Sequence, residues 1–319
     1  MVQALPKSTA AALKPLSEYP DATLDFFSSD IPTLDLILGG GYPRGRLIEV
    51  FGPQSTGKTT LALQACIQAQ KHGKVAFLDA EHKLAREYAA AVGVKVSDLL
   101  FARPKSAAET LQIAWDAARA GFALIVIDSI AAMPTQAELD GEMGDTYNSD
   151  ALHERAISDG LKRISQELGG KSQSTILVTN QLRENHGVVF GSPEVATGGK
   201  ALGYYTSVRL DLRSIMTLKR GHDEHGIRVK FKVAKNKAAA PFQITEADLL
   251  FGYGFSYIHN LFDLGMEAGV INRVSQNYCF RKTPLGRGRD AALDTLKGDR
   301  KLVKALEGEI AQWLKTDRL

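Results

Sequence analysis

Leu47-Ile48-Glu49-Val50-Phe51-Gly52-Pro53-Gln54-Ser55-Thr56-Gly57-Lys58-Thr59-Thr60 decides the fold. Leu47–Phe51 reads as a buried strand, and Thr59–Lys71 reads as a helix with Gly73 at the C′ position that ends it. The residues between them, Gly52 through Thr59, fit the pattern GxxxxGK[ST]. That spacing suits a polyphosphate, because backbone N–H groups of the loop and of the helix N-terminus converge on an anion. Gly52 and Gly57 permit the turn and the close approach. Lys58 reaches the outer phosphate oxygens as a point charge, and Thr59 offers a hydroxyl to Mg²⁺. A chance glycine-rich turn would not need an apolar strand before it and a helix after it.

Outward from this loop the chain alternates strands and helices. Val75–Asp79 reads as a strand, Leu84–Val92 and Ala107–Ala120 as helices, and Ala123–Asp128 as the most hydrophobic and central strand. Asp150–Leu168 is a longer helical stretch and Thr175–Asn180 the next strand. Val208–Leu212, Thr217–Arg220 and Arg228–Val233 look antiparallel, with Gly221–Gly226 as a polar hairpin connection. The reading is α/β: a phosphate-loop ATPase core with a mostly parallel sheet, an antiparallel extension and a small C-terminal α/β domain. The expected division is a short N-terminal segment over 1–30, the core over 31–252, and a basic C-terminal domain over 253–319. Thr135–Asp150 and Arg183–Gly199 are polar, glycine-containing segments that follow neither period.

Asp128 ends its strand and can hold the metal through water, or only cap the next turn. Ser129 beside it can bond the metal shell or the turn. Hydrolysis also needs a group that orients water. Asp79 and Glu81 both follow the second strand, and spacing alone does not separate them.

The remaining composition limits the function classes. In 319 residues, 39 Lys/Arg against 36 Asp/Glu give a net charge of +3, which by itself argues for no nucleic-acid partner. From Ile271 to Leu319, however, 11 Lys/Arg face 6 Asp/Glu, and that region could track phosphates. Only Cys66 and Cys279 are present, so no disulfide framework is expected and a reducing cytoplasm is. No apolar run reaches membrane-spanning length, and the N-terminus lacks the apolar core of a secretory signal.

The ordered set GPQSTGKTTLALQ, FLDAEH, LIVIDSIAAM, TNQLRENHGVVFGSPEVATGGKALGYYTSVRLDLR and VAKNKAAAPF resembles the bacterial and phage RecA-type homologous recombinases. The similarity runs from about Ile31 to Trp313. Its phosphate loop is shared by many ATPases, whereas FGSPEVATGGKAL and KNK-AAPF are specific to the family. The resemblance implies an ATP-dependent recombinase that forms a helical filament on single-stranded DNA, pairs it with duplex DNA and exchanges strands in recombination and repair. ATP and Mg²⁺ are the implied cofactors. Gly52, Pro53, Gln54, Ser55, Thr56, Gly57, Lys58, Thr59 and Thr60 would cradle the nucleotide, Thr59 and Asp128 would hold Mg²⁺, and Tyr88 would stack on adenine.

Glu81 matches the family's water-activating glutamate. Gln181 matches the glutamine that senses the γ-phosphate and couples it to DNA. Lys235 and Lys237 match lysines that reach the γ-phosphate of a neighbouring subunit's ATP. Thr135–Asp150 and Arg183–Gly199 match the two DNA loops. The implied DNA contacts are Arg155, Lys162, Arg183, His186, Gly187, Val188, Val189, Phe190, Gly198, Gly199 and Lys200. Each has an ordinary alternative: a solvated helix face for Arg155 and Lys162, a core-facing ring for Tyr88, a satisfied amide for Gln181, solvent-facing strand positions for the lysines.

The chain also departs from the family pattern. The first loop is slightly longer than usual. His186 stands in place of an aliphatic residue, Asn185 in place of a basic one, Lys200 in place of an asparagine and Gly203 in place of a lysine. Ala85 and Phe251 replace an aspartate and a tyrosine near the base, which bears on nucleotide preference. Residues 313–319 read WLKTDRL, where many bacterial members carry an acidic tail. Two other function classes share this core, a ring-forming helicase-type motor and a regulatory DNA-bound filament. The first would expect an added N-terminal domain or a duplicated core. The second would not need Lys58, Glu81 and Asp128 together.

Overall fold

The computed structural model describes residues 24–141, 149–170, 172–184, 194–196 and 199–317, together with Pro15 and Glu18. The elements in chain order begin with β1 (Phe26–Phe27), α1 (Pro32–Leu38), β2 (Tyr42–Pro43), β3 (Leu47–Gly52) and α2 (Lys58–Ala69). Next come β4 (Val75–Asp79), α3 (Arg86–Val92), β5 (Leu99–Ala102), α4 (Ala107–Arg119) and β6 (Leu124–Asp128). They are followed by α5 (Gln136–Asp140), α6 (Ser149–Gly170), β7 (Thr175–Glu184), β8 (Glu194–Ala196) and α7 (Gly199–Tyr205). β9 (Val208–Arg220), β10 (Asp223–Asn236), β11 (Ile244–Leu250) and β12 (Gly254–Phe255) complete the large sheet. The chain ends in α8 (Tyr257–Glu267), β13 (Ile271–Val274), β14 (Asn277–Phe280), β15 (Thr283–Arg287), α9 (Arg289–Gly298) and α10 (Arg300–Asp317).

The large sheet runs β12-β11-β10-β9-β3-β7-β6-β4-β5, with β8 paired to β7. The strands from β9 to β5 are mutually parallel, and the order reverses to antiparallel from β9 through β12. Period-two alternation divides the central strands between two cores. Ile48, Val50, Leu124, Val126 and Leu177 face the layer that contains Leu61, Leu63 and Cys66 of α2. Leu47, Ile125, Ile127, Ile176 and Val178 face the layer built by α4 and α6. Both faces are covered, so β3, β4 and β6 are buried along their whole length, which is why β4 and β6 read as apolar runs up to their terminal aspartates and β3 as one interrupted only by Glu49. Burying each of these side chains contributes about 1.5–3 kcal/mol before conformational entropy is subtracted.

Local signals fix the helices. α4 starts at Ser106, whose hydroxyl accepts the Glu109 N–H, while the Glu109 carboxylate accepts the Lys105 N–H at 2.6 Å. On α6 the buried residues Ile157, Leu161, Ile164 and Leu168 recur at helical spacing and face the core. α6 crosses α4 closely at Gly160, where a Cβ would lie 2.6 Å from Leu111 Cδ1.

Three boundaries differ from expectation. The first core helix ends at Ala69 with Gln70 as its cap, so Gly73 lies beyond the C′ position. The segments Val208–Leu212 and Thr217–Arg220 are one strand, and Asp223–Asn236 is also one strand. Only Gly221 and His222 turn the hairpin, and the polar residues after them join the ladder through a register shift between Glu224 and Gly226. The expected first loop contains the short helix α5 and the start of α6.

A separate core lies beyond β12, where Phe262, Leu264, Phe280, Leu285, Leu293, Leu296 and Leu306 pack over the antiparallel sheet β13-β14-β15. Leu36 of α1 packs against it. Two bonds of 2.8 Å between Thr33 and Asn260 pin α1 to α8. Asp248 of β11 meets Arg228, His259 and Arg289 at 2.7, 2.9 and 3.2 Å, joining the large sheet to α8 and α9. No helix among the described residues is long and apolar enough to cross a membrane.

Candidate active site

The phosphate loop leaves the C-terminal end of β3. Gly52 adopts φ 155°, and a Cβ there would lie 2.2 Å from the Leu212 carbonyl oxygen of β9, so only glycine fits this approach. Gly57, at φ 87°, is the N-cap of α2 and gives it no side-chain cap. The first N–H groups of a helix have no partner within it, so α2 presents them at the loop. Lys58 is buried, and its Nζ donates to the carbonyls of Gly52 and Pro53 at 3.0 and 2.6 Å. Burial lowers its pKa, opposed by the nearby charges of Asp128 and Glu81. An anion cradle with a lysine folded across it fits a nucleotide's phosphates.

Asp128 ends β6, buried beside the loop. One carboxylate oxygen accepts the Thr59 hydroxyl at 2.7 Å, and the other accepts the Thr179 hydroxyl. Burial pushes its pKa up, the two threonine bonds oppose this, and the charges of Glu81 and Asp79 push it up further. A hydroxyl and a carboxylate crowded by two further acidic groups form a setting that a divalent cation relieves, and this donor set fits Mg²⁺. Thr179, which orients Asp128, was legible only as a polar residue at the end of the apolar strand TILVTN.

Asp79 and Glu81 have different surroundings. The Asp79 carboxylate accepts the backbone N–H groups of Lys83 and Leu84 at 3.2 and 3.1 Å and Arg103 Nε at 3.3 Å. It builds the loop. Glu81 instead lines a cavity of about 400 Å³ with Gln54, Ser55, Thr56, Gly57, Lys58, Thr59, Thr60, Lys83, Tyr88, Asp128 and Gln181. Glu81 Oε1 accepts from Ser129 Oγ and from Gln181 Nε2, each at 2.7 Å. Ser129 therefore orients Glu81, a role not weighed from the sequence. Burial raises the Glu81 pKa, but bonds from Ser129, Lys83 and Gln181 and the Lys83 charge win, so it is held below the usual carboxylate value.

Gln181 sits on β7 in register with Gly52. Behind it runs a chain of polar bonds: Gln181 N–H to Asn180 Oδ1 at 2.9 Å, Asn180 Nδ2 to Glu49 at 2.9 Å, and Arg209 Nε to Glu49 at 2.5 Å. Glu49 is fully buried. Tyr88 shares a 2.6 Å hydrogen bond with Thr60. Its ring packs partly on the core and also borders the cavity.

Lys235 and Lys237 lie elsewhere. Lys235 pairs with Arg209 across β10 and β9, beside Val208, which is in register with Ile48 near the start of β3. The phosphate loop begins at the opposite end, about 13 Å further along the strand. Lys235 Nζ donates to the Gly203 and Tyr204 carbonyls at 2.7 and 3.3 Å. Burial lowers its pKa, and the Lys237 and Arg209 charges lower it further against Glu49. Lys237 is exposed. This cation cluster does not reach the nucleotide cavity of its own chain.

Arg155 and Lys162 are exposed on α6, seven positions apart, and so share one face. Arg183 lies near the end of β7, and Gly199 and Lys200 open α7. His186, Gly187, Val188, Val189, Phe190 and Gly198 lie outside the described residues. A second cavity, about 500 Å³, is lined by Leu84, Val96, Leu99 and Phe101 among others, and holds none of the candidate catalytic groups.

The family model described as the RecA N-terminal domain matches residues 7–256. The chain is 48% identical over 272 residues to Protein RecA of Arthrospira platensis, covering 85% of this chain and 74% of that protein. It is 47% identical over 282 residues to Protein RecA of Nostoc punctiforme, covering 87% and 78%. It is 45% identical over 299 residues to Protein RecA of Rippkaea orientalis, covering 93% and 85%.

Proposed function

The chain belongs to the RecA family, and from that membership we infer an ATP-dependent DNA recombinase that forms a filament on single-stranded DNA, pairs it with duplex DNA and exchanges strands. The observation that carries the reading is the 2.7 Å bond from Gln181 to Glu81. It joins the strand that leads into Arg183–Gly199 to the group best placed to activate water.

ATP would supply the phosphoryl group, and the Thr59 hydroxyl and Asp128 carboxylate would hold a Mg²⁺ ion that offsets charge on the phosphate oxygens. Gly52–Thr60 bind the phosphates, and Tyr88 stacks on the base. Lys58 stabilises charge at the γ-phosphate. Glu81 takes a proton from the water whose oxygen bonds to the γ-phosphorus. The bond to the β,γ-bridging oxygen breaks, and ADP leaves with its electron pair. Gln181 couples this centre to DNA. Lys235 and Lys237 serve a neighbouring subunit's nucleotide, since the sheet register sets them at the end opposite their own. Arg155, Lys162, Arg183 and Lys200 bind DNA phosphates, and His186–Phe190 with Gly198 and Gly199 meet bases and backbone. Residues 31–252 form the motor core and 253–319 a small basic domain. The protein works in the cytoplasm.

The test is steady-state ATP hydrolysis with and without single-stranded DNA, paired with a joint-molecule assay. Stimulation by single-stranded DNA together with ATP-dependent joint molecules is expected. Hydrolysis indifferent to DNA, with no joint molecules, would overturn the reading.

A further inference from the structure

Glu81 is held from three sides, and the third is a residue that the family resemblance does not use. Lys83 Nζ lies 3.2 Å from Glu81 Oε2, while Ser129 and Gln181 both bond Oε1. The arrangement is built by the backbone. The N–H groups of Ala80 and Glu81 bond the Asp128 carbonyl at 2.9 and 3.2 Å. His82 takes a left-handed turn at φ 57°. Asp79 then receives the Lys83 and Leu84 N–H groups. A tight turn between two anchored ends folds residue 83 back toward residue 81. The Lys83 side chain itself is 77% exposed, against 18% for Glu81. A rigid backbone thus carries a loosely held ammonium, and that ammonium borders the nucleotide cavity.

We propose that Lys83 is a positioning residue that restrains Glu81: it occupies Oε2 until a nucleotide's terminal phosphate draws it away. Two positions compete for one cation in one cavity. While Lys83 sits on Oε2, its charge offsets the carboxylate's, and the oxygen that would take water's proton is engaged. An exposed ion pair is a weak hold, so a more highly charged phosphate in the same cavity displaces it. Oε1 stays fixed by Ser129 and Gln181, so the freed carboxylate keeps its aim. Without DNA the bound phosphate draws Lys83 away only part of the time, so the remaining pairing with Oε2 lowers DNA-free turnover.

This inference rests on the assignment of Glu81 as the water-activating group. The experiment is steady-state ATP hydrolysis by the full chain, kcat and KM separated, without DNA and with single-stranded DNA. The variants are Lys83→Met, Lys83→Arg and Glu81→Gln. Lys83→Met is expected to raise the DNA-free kcat by up to about fivefold, the most that losing one exposed ion pair changes an equilibrium. It should also raise KM for ATP, because the phosphate loses a cation. Lys83→Arg should return both toward parental values. A DNA-free kcat that is unchanged or lower in Lys83→Met, or an arginine that restores neither parameter, overturns the inference. If Glu81→Gln turns over like the parent, the assignment of Glu81 fails instead. Thermal melting of Lys83→Met at the parental temperature excludes misfolding as the cause of any change.

Discussion

The side-chain amide of Gln181 stands 2.7 Å from Glu81 Oε1, and its backbone N–H is fixed 2.9 Å from Asn180 Oδ1. Through Glu49 the same chain of bonds reaches Arg209, at the far end of β3, beside Lys235. One chain of bonds therefore links Glu81 and the end of β7 that leads into Arg183–Gly199 to Arg209, the cross-strand partner of Lys235.

Gln181→Ala is expected to keep ATP affinity and to lose most stimulation by single-stranded DNA. The amide donates to Glu81, whereas the groups proposed to bind the phosphates are supplied by Gly52–Thr60. Removing it leaves Glu81 with Ser129 and Lys83 only. The check is the ratio of turnover with DNA to turnover without it. A parental ratio would show that coupling runs elsewhere.

Lys235→Ala and Lys237→Ala are each expected to bind ATP normally yet lose DNA-stimulated turnover. Lys58→Ala should lose nucleotide-dependent activity outright, because its own cavity loses its buried cation. Mixing Lys58→Ala with Lys235→Ala should recover some activity, since the joined pair includes interfaces with an intact loop on one side and intact lysines on the other. Hydrolysis by the mixture, with mixed filaments verified by pull-down, is the measurement. No recovery in verified mixed filaments would count against action between subunits.

Arg155→Ala and Lys162→Ala should weaken binding of single-stranded DNA and flatten its salt dependence by about one counterion per lost phosphate contact. Phe190→Ala should weaken binding with little change in slope, since it removes a stacking or apolar contact and no charge. A salt titration separates the two classes. Equal slopes for the parent and Arg155→Ala would place that face of α6 away from DNA.

Asp248 links stability to pH. Burial pushes its pKa up, but bonds from His259 and Arg228 and the charges of Arg228 and Arg289 win and hold it well below the usual carboxylate value. A carboxyl with a depressed folded pKa stabilises the folded state above its unfolded pKa, near 3.9, and loses that contribution as pH falls toward the folded value. Asp248→Asn should therefore cost about 3 kcal/mol at neutral pH, as for removal of one partner from a buried pair. The gap from the parent should narrow below about pH 4. Denaturant unfolding at pH 7 and pH 3 checks it, and a gap independent of pH would contradict the assignment.

Much of the core was legible because buried parallel strands read as apolar runs and the phosphate loop has a fixed place between strand and helix. The long arms of β9 and β10 were not. Their alternation dissolves from Ser214 onward, where the side chains become exposed, so one strand read as two. Asp79 and Glu81 could not be told apart by spacing, since only their partners distinguish them. Asp79 receives two backbone N–H groups and an arginine, and Glu81 faces the cavity. Lys83 left no signal, because a lysine two positions from a glutamate reads as an ordinary surface charge until a left-handed residue between them folds it back toward that glutamate. The position of Lys235 relative to the loop needed the strand register.

The central claim is that Glu81 activates water in an ATP-driven filament, and the most direct measurement is single-turnover ATP hydrolysis by Glu81→Gln on single-stranded DNA. Glutamine keeps the shape, and its one amide oxygen can still accept from Ser129 and Gln181 while its NH2 group gives up the Lys83 contact, so ATP and DNA should bind at near-parental affinity. Hydrolysis should fall by at least about 100-fold, the usual contribution of a general base, leaving a long-lived ATP-bound filament that still forms joint molecules. Hydrolysis at the parental rate, with the same affinities, would contradict the account.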